Sequence, residues 1–158
     1  MSDTHETFMR RAFELALEGV DRNDGGPFGC VIVKDGRIVG EGCNRVTSTN
    51  DPTAHAEVVA IREACRNLNS FQLDGCTVYT SCEPCPMCLG AIYWARPSAV
   101  YFAGTREDAA DAGFDDEMIY EEIALANEAR RRPMTNLLRE EAVQVFARWN
   151  EKSDKVEY

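Results

Sequence analysis

His55-Ala56-Glu57, Cys76-Thr77-Val78-Tyr79-Thr80 and Pro84-Cys85-Pro86-Met87-Cys88 follow one another along the chain, and their alternation decides the fold. Roughly His55 to Leu68 reads as a helix, Cys76 to Thr80 as a short strand and Cys85 to Ala95 as a helix. Ala99 to Ala103 reads as a further strand. Upstream, Phe28 to Val33 and Arg37 to Gly40 flank Lys34-Asp35-Gly36, which is a β-hairpin with an Asp-Gly turn. Strand–helix–strand alternation requires a sheet with helices on its faces and some parallel pairing.

The flanks read more simply. Phe8, Ala12, Leu15 and Ala16 recur at helical spacing from Asp3 to about Gly19, with Asp3 and Glu6 suiting a capping box. Beyond Gly104, Glu117 to Ala129 and Leu138 to Trp149 read as helices, the second with Leu138, Ala142, Val145, Phe146 and Trp149 on one face. No repeat, low-complexity tract or linker interrupts the chain, so residues 1–158 are expected to form a single domain.

One imidazole and two thiols at this spacing can hold a Zn²⁺ ion: His55, Cys85 and Cys88, with the fourth position left to water. Positions i and i+2 of a helix do not face each other, so His55 and Glu57 should stand at a helix entrance. Pro52-Thr53 marks that boundary, with Thr53 as the expected cap. Pro86 suits a first helical position, which makes Cys85 a cap and puts Cys88 in the first turn. Positive helix ends favour thiolate there. Cys82 forms a second C-x-x-C with Cys85 and could close the site into a structural one, but Glu83-Pro84 should be extended and aim it away. Cys30, Cys43, Cys65 and Cys76 read as small apolar packing residues.

The H-x-E…P-C-x-x-C pattern is the known signature of zinc nucleobase deaminases. Zn²⁺ lowers the pKa of a bound water from about 15.7 to about 7. Glu57 is then the expected proton shuttle between that water, a ring nitrogen and the departing amine. Alone, it would read as a solvated glutamate in a first turn.

These residues and their order resemble the cytidine-deaminase superfamily. That resemblance implies an α/β fold, a three-layer α/β/α sandwich around a mixed five-stranded sheet. Gly26-Pro27-Phe28-Gly29, Asn44, Asn50 to Glu57, Thr80 to Pro97, Asp111 to Asp116 and the terminal Glu157-Tyr158 resemble the bacterial guanine deaminases within it. That likeness implies hydrolysis of guanine to xanthine and ammonia. It further implies substrate contacts from the Asn44 amide, the Ala54 backbone, Phe28 and Trp94 as aromatic walls, Asp116 and Tyr158. A flat purine with a polar edge suits such a set. Read without the resemblance, Phe28 and Trp94 are core aromatics, Asn44 a turn residue and Asp116 a helix cap inseparable from Asp115. The likeness also implies a homodimer that exchanges the C-terminal segment from about residue 130 to 158.

A tRNA adenosine deaminase shares the Asp-Pro-Thr-Ala-His-Ala-Glu run and is the nearest alternative, and a non-catalytic zinc module is a more distant one. The net charge of −10 argues against a nucleic-acid surface, whose affinity comes largely from Lys and Arg. Arg130-Arg131-Arg132, the one basic run, reads as a solvated helix end. No apolar run approaches membrane-spanning length, and the opening MSDTHETFMRRAFE lacks the apolar centre of a signal peptide. A cytoplasmic location is expected. Seven cysteines, an odd number, argue against a disulfide framework and leave the clustered ones for metal.

Overall fold

A turn of two residues in the left-handed region fixes the first sheet pairing. Asp35 and Gly36 have φ of 50° and 72°, as a two-residue hairpin turn of the primed type requires. In this computed structural model, which describes residues 2–158 with side chains from Thr4 onward, the turn joins β1 (Gly29–Lys34) to β2 (Arg37–Cys43). The Asp3 part of the expected capping box lies outside the described side chains.

β3 (Cys76–Cys82) pairs antiparallel to β1, and β4 (Ala99–Gly104) runs parallel to β3. The strand order is β2-β1-β3-β4. The parallel pair is joined by α4 (Pro86–Ala95), the crossover that parallel strands need. The sheet is mixed, but it has four strands among the described residues rather than five. After β4 the chain leaves the sheet, because Thr105 and Asp108 form a reciprocal capping box that starts α5 (Arg106–Asp111).

Side chains of the central strands alternate between two apolar clusters, as the period of two demands. Val31, Val33 and Tyr79 pack with Ala12 and Leu15 of α1 (Ser2–Asp21). Cys30, Ile32 and Val78 pack on the other face with Ala56, Ala60 and Ala64 of α3 (Ala56–Leu68) and Ala95 of α4. This gives the three layers expected. α3 lies directly on the β2 backbone: a Cβ added at Gly42 would stand 2.3 Å from the Ala56 carbonyl oxygen.

The chain divides into two compact units, residues 1–116 and 117–158. The second unit holds α6 (Glu117–Ile123), a 3₁₀ turn (Asn127–Ala129) and α7 (Arg139–Glu151). The continuous helix expected to Ala129 stops at Ile123, where the Arg130 guanidinium donates to the Glu122, Ile123 and Leu125 carbonyls. A short helix absent from the sequence reading, α2 (Val46–Thr49), occupies the loop before α3. No helix among the described residues is long and apolar enough to cross a membrane.

Because the group that a new Cβ would strike at Gly42 is backbone, Gly42→Ala is expected to cost about 3 kcal/mol, the upper part of the range for overpacking. The midpoint of a urea titration should fall accordingly.

Candidate active site

Two loop-to-helix junctions deliver the chemistry-bearing residues. Before α3, Asp51 Oδ1 accepts from both the Thr53 amide at 2.8 Å and the Thr53 hydroxyl at 2.6 Å. Thr53 is thereby consumed in a turn, and the helix cap falls to His55 instead, with φ −68° and ψ 155°. The extended cap leaves the imidazole out of any capping bond and turns it toward the second junction. There Cys85 is the cap of α4 (φ −63°, ψ 167°) with Pro86 following at the helix start, as the sequence led us to expect.

His55 Nδ1 lies 3.5 Å from Cys85 Sγ and 3.5 Å from Cys88 Sγ, and the three ligand atoms fall within 4.8 Å of one another. Tetrahedral bonds of about 2.3 Å to sulfur and 2.0 Å to nitrogen would set such atoms about 3.5 Å apart. The donor set therefore fits one thiophilic ion. Cys82 is outside it: its Sγ donates to the Thr105 carbonyl at 3.5 Å, and burial beside Glu57 pushes its thiol up to about 11. Cys85 is pulled the other way. The adjacent Cys88 and the neighbouring imidazole bring it down to about 4 against the cost of burial. Cys88 is raised by the adjacent Cys85, by its burial and by Glu57. Cys85 also raises His55 by hydrogen bonding, opposed by burial. Of the two thiols, Cys85 is thus the one already polarised toward thiolate, at the start of α4.

Glu57, in the first turn of α3, is buried. Burial raises its carboxyl above the usual range, which suits an acid that must both give and take a proton near neutrality. Its Oε1 accepts from the Thr80 hydroxyl at 3.2 Å and its Oε2 from the Cys88 thiol at 3.4 Å.

Asn44 is buried, and its Oδ1 accepts from the Gly26 amide at 3.1 Å and the Val46 amide at 3.2 Å. Two N–H donors fix which end of the amide is oxygen. The turn role and a substrate role are therefore compatible, because the Nδ2 end remains as a donor. The Gly25-Gly26 pair makes this possible, since a Cβ at Gly25 would stand 2.2 Å from Asn44 Oδ1. The Asn44 amide donates to the Phe28 carbonyl at 3.0 Å, and the Arg45 amide to the carbonyl of buried Ala54 at 2.9 Å. Asn44, Phe28 and Ala54 thus belong to one connected stretch of backbone. Phe28 is half-buried and meets Phe114 edge-on with ring centroids 4.9 Å apart. Asp116 is half-buried where Asp115 is exposed. That difference in burial separates the two aspartates as spacing could not; burial, then the Cys85 charge, raise the Asp116 carboxyl. Trp94 is 65% exposed on α4. Tyr158 belongs to the second unit and is exposed there.

Sequence reasoning passed over Thr80 and Gly25. A threonine among the apolar residues of a buried strand, and a glycine doublet before Pro27, were the available signals.

A family profile described as the cytidine and deoxycytidylate deaminase zinc-binding region matches residues 2–104. The chain belongs to this deaminase family. Within the family, guanine deaminase of Bacillus subtilis (strain 168) is 58% identical over 98% of this chain and 99% of that protein. A solved structure of guanine deaminase from Bacillus subtilis has a TM-score of 0.95 and covers 98% of both chains. A guanine deaminase from Nitrosomonas europaea is 32% identical with a TM-score of 0.67, covering 70% of this chain and 64% of that one. The tRNA-specific adenosine deaminase of Aquifex aeolicus (strain VF5) is 42% identical over 62% of this chain and 64% of its own length.

Asn44→Ala removes the acceptor of two backbone donors. It is expected to lower unfolding free energy by about 1–3 kcal/mol while leaving metal content unchanged, measured by denaturant titration and metal analysis.

Proposed function

We propose that this deaminase hydrolyses guanine to xanthine and ammonia, with His55, Cys85 and Cys88 holding one Zn²⁺ and Glu57 moving the protons. The observation that carries the reading is the convergence of His55 Nδ1 with two thiols at 3.5 Å beside a buried carboxyl. Three protein donors leave a fourth position for water, as catalytic zinc does. Similarity to a guanine deaminase along nearly the whole chain, the second unit included, supports the choice of base. The matches to the tRNA-specific adenosine deaminases of Aquifex aeolicus and Buchnera aphidicola cover 62% and 68% of the chain.

Zinc bound there supplies Lewis-acid activation of water at neutral pH. Glu57 takes a proton from the attacking water and passes it to the ring nitrogen beside the attacked carbon. It then takes the remaining proton of the added hydroxyl and delivers it to the amino group, so that the C–N bond breaks to release ammonia as the carbonyl forms. Asn44 donates through Nδ2 to an acceptor on the purine edge, and Asp116 accepts from a ring N–H. The Ala54 backbone contacts the base, and Phe28 and Trp94 flank its faces. Tyr158 completes the pocket in a homodimer that exchanges the segment from about residue 130. Leu138, Val145 and Phe146 support that exchange, being exposed at 62%, 69% and 67%, an apolar face of the kind a partner chain covers. Seven free thiols suit a reducing cytoplasm.

The reading is tested with guanine, guanosine, cytosine, adenine and adenosine-containing tRNA, each assayed for ammonia release alongside zinc stoichiometry. Guanine should be the preferred substrate at one zinc per chain; preference for the tRNA would overturn the choice of base. Glu57→Ala should retain the zinc and lose about 10²- to 10⁴-fold in kcat. Removing residues 156–158 should raise KM for guanine, and an unchanged KM would take Tyr158 out of the pocket.

A further inference from the structure

A carboxyl that carries protons between two partners has to be held by one oxygen so that the other can work. The hydroxyl of Thr80, on β3, lies 3.2 Å from Glu57 Oε1, and both residues are buried. Glu57 Oε2 is 3.4 Å from Cys88 Sγ, on the side of the metal donors. A Cys88 that binds a metal as thiolate has no proton left to donate. Thr80 is then the side-chain donor that remains to this carboxyl among the contacts described above.

We propose that Thr80 is a positioning residue for the deamination: it anchors Oε1 and so leaves Oε2 as the oxygen that exchanges protons with water and base. The proposal rests on the role given to Glu57 above. The strand is a suitable mount. Thr80 pairs with Cys30 on β1 and with Phe102 on β4, so its backbone is held from both sides and only χ1 is left to set the hydroxyl. A β-branched side chain is stiff at that torsion. A misplacement of about 1 Å in a reacting group can cost about 10²-fold in rate, which is the scale at which a single anchoring bond matters.

Thr80→Val keeps the branching and bulk and removes only the donor. It should fold, bind one zinc and keep KM for guanine within about twofold, while kcat falls by about 10- to 100-fold. Thr80→Ser returns the hydroxyl and should recover most of that loss. A purely structural role predicts a changed Tm with kcat intact, and that result in Thr80→Val would overturn the proposal. Equal losses of kcat in the Val and Ser variants would overturn it too. Glu57→Ala, run in parallel, separates the two levels. If it is inactive while Thr80→Val is fully active, only the anchor is lost; if Glu57→Ala is active, the reading beneath it falls as well.

Discussion

Two helices that begin at the same place, each capped by a residue that keeps its own side chain free, are the constraint on which the site depends. His55 and Cys85 both adopt the extended cap conformation and neither spends its side chain on a capping bond. Ordinary caps such as Ser or Asp would turn their side chains back onto the helix amides. Here those amides remain as a source of positive potential, and the cap side chains point at each other. The geometry that places nitrogen and sulfur 3.5 Å apart follows from chain direction. The C-terminal end of β3, an interior strand, delivers Cys85, and the loop ending at Asp51-Pro52-Thr53 delivers His55.

The remainder of the site follows from that junction. Glu57 falls two residues inside α3, deep enough that burial lifts its proton affinity. The neighbouring strand supplies one donor that satisfies the carboxyl without neutralising it. Buried polar groups are costly when left unpaired, and none of the buried side-chain nitrogens and oxygens among the described residues lacks a partner. Asn44 meets the same demand differently. Its oxygen is spent on loop amides so that its nitrogen end is presented in one fixed orientation.

Local signals carried much of this. The Asp35-Gly36 turn, the Pro86 helix start and the alternation of Val31 and Val33 with Cys30 and Ile32 are short-range features, and each has the form its residues indicated. The convergence of His55 with Cys85 and Cys88 was legible because H-x-E…P-C-x-x-C is a known signature; separation along the chain alone does not encode it. What was not legible depended on competition between neighbours. Thr53 is a good cap by type, but Asp51 claims its hydroxyl first. Glu117 to Ala129 has helical composition throughout, but a guanidinium eight residues beyond Glu122 ends the helix early. The fifth strand was inferred from likeness, and the local capping chemistry at Thr105 opposes it. Asp115 and Asp116 are equivalent in sequence and differ only in burial.

The bare backbone of β2 beneath α3 has a further consequence. Since the helix rests on Gly42 by main-chain contact, the depth at which Glu57 sits is gauged partly by peptide groups, alongside the side chains of Cys30, Ile32 and Val78. On the β2 side, that main-chain stop stays in place whatever aliphatic residues fill the rest of the sandwich. A buried carboxyl mounted in this way keeps one of its two supports independent of side-chain volume.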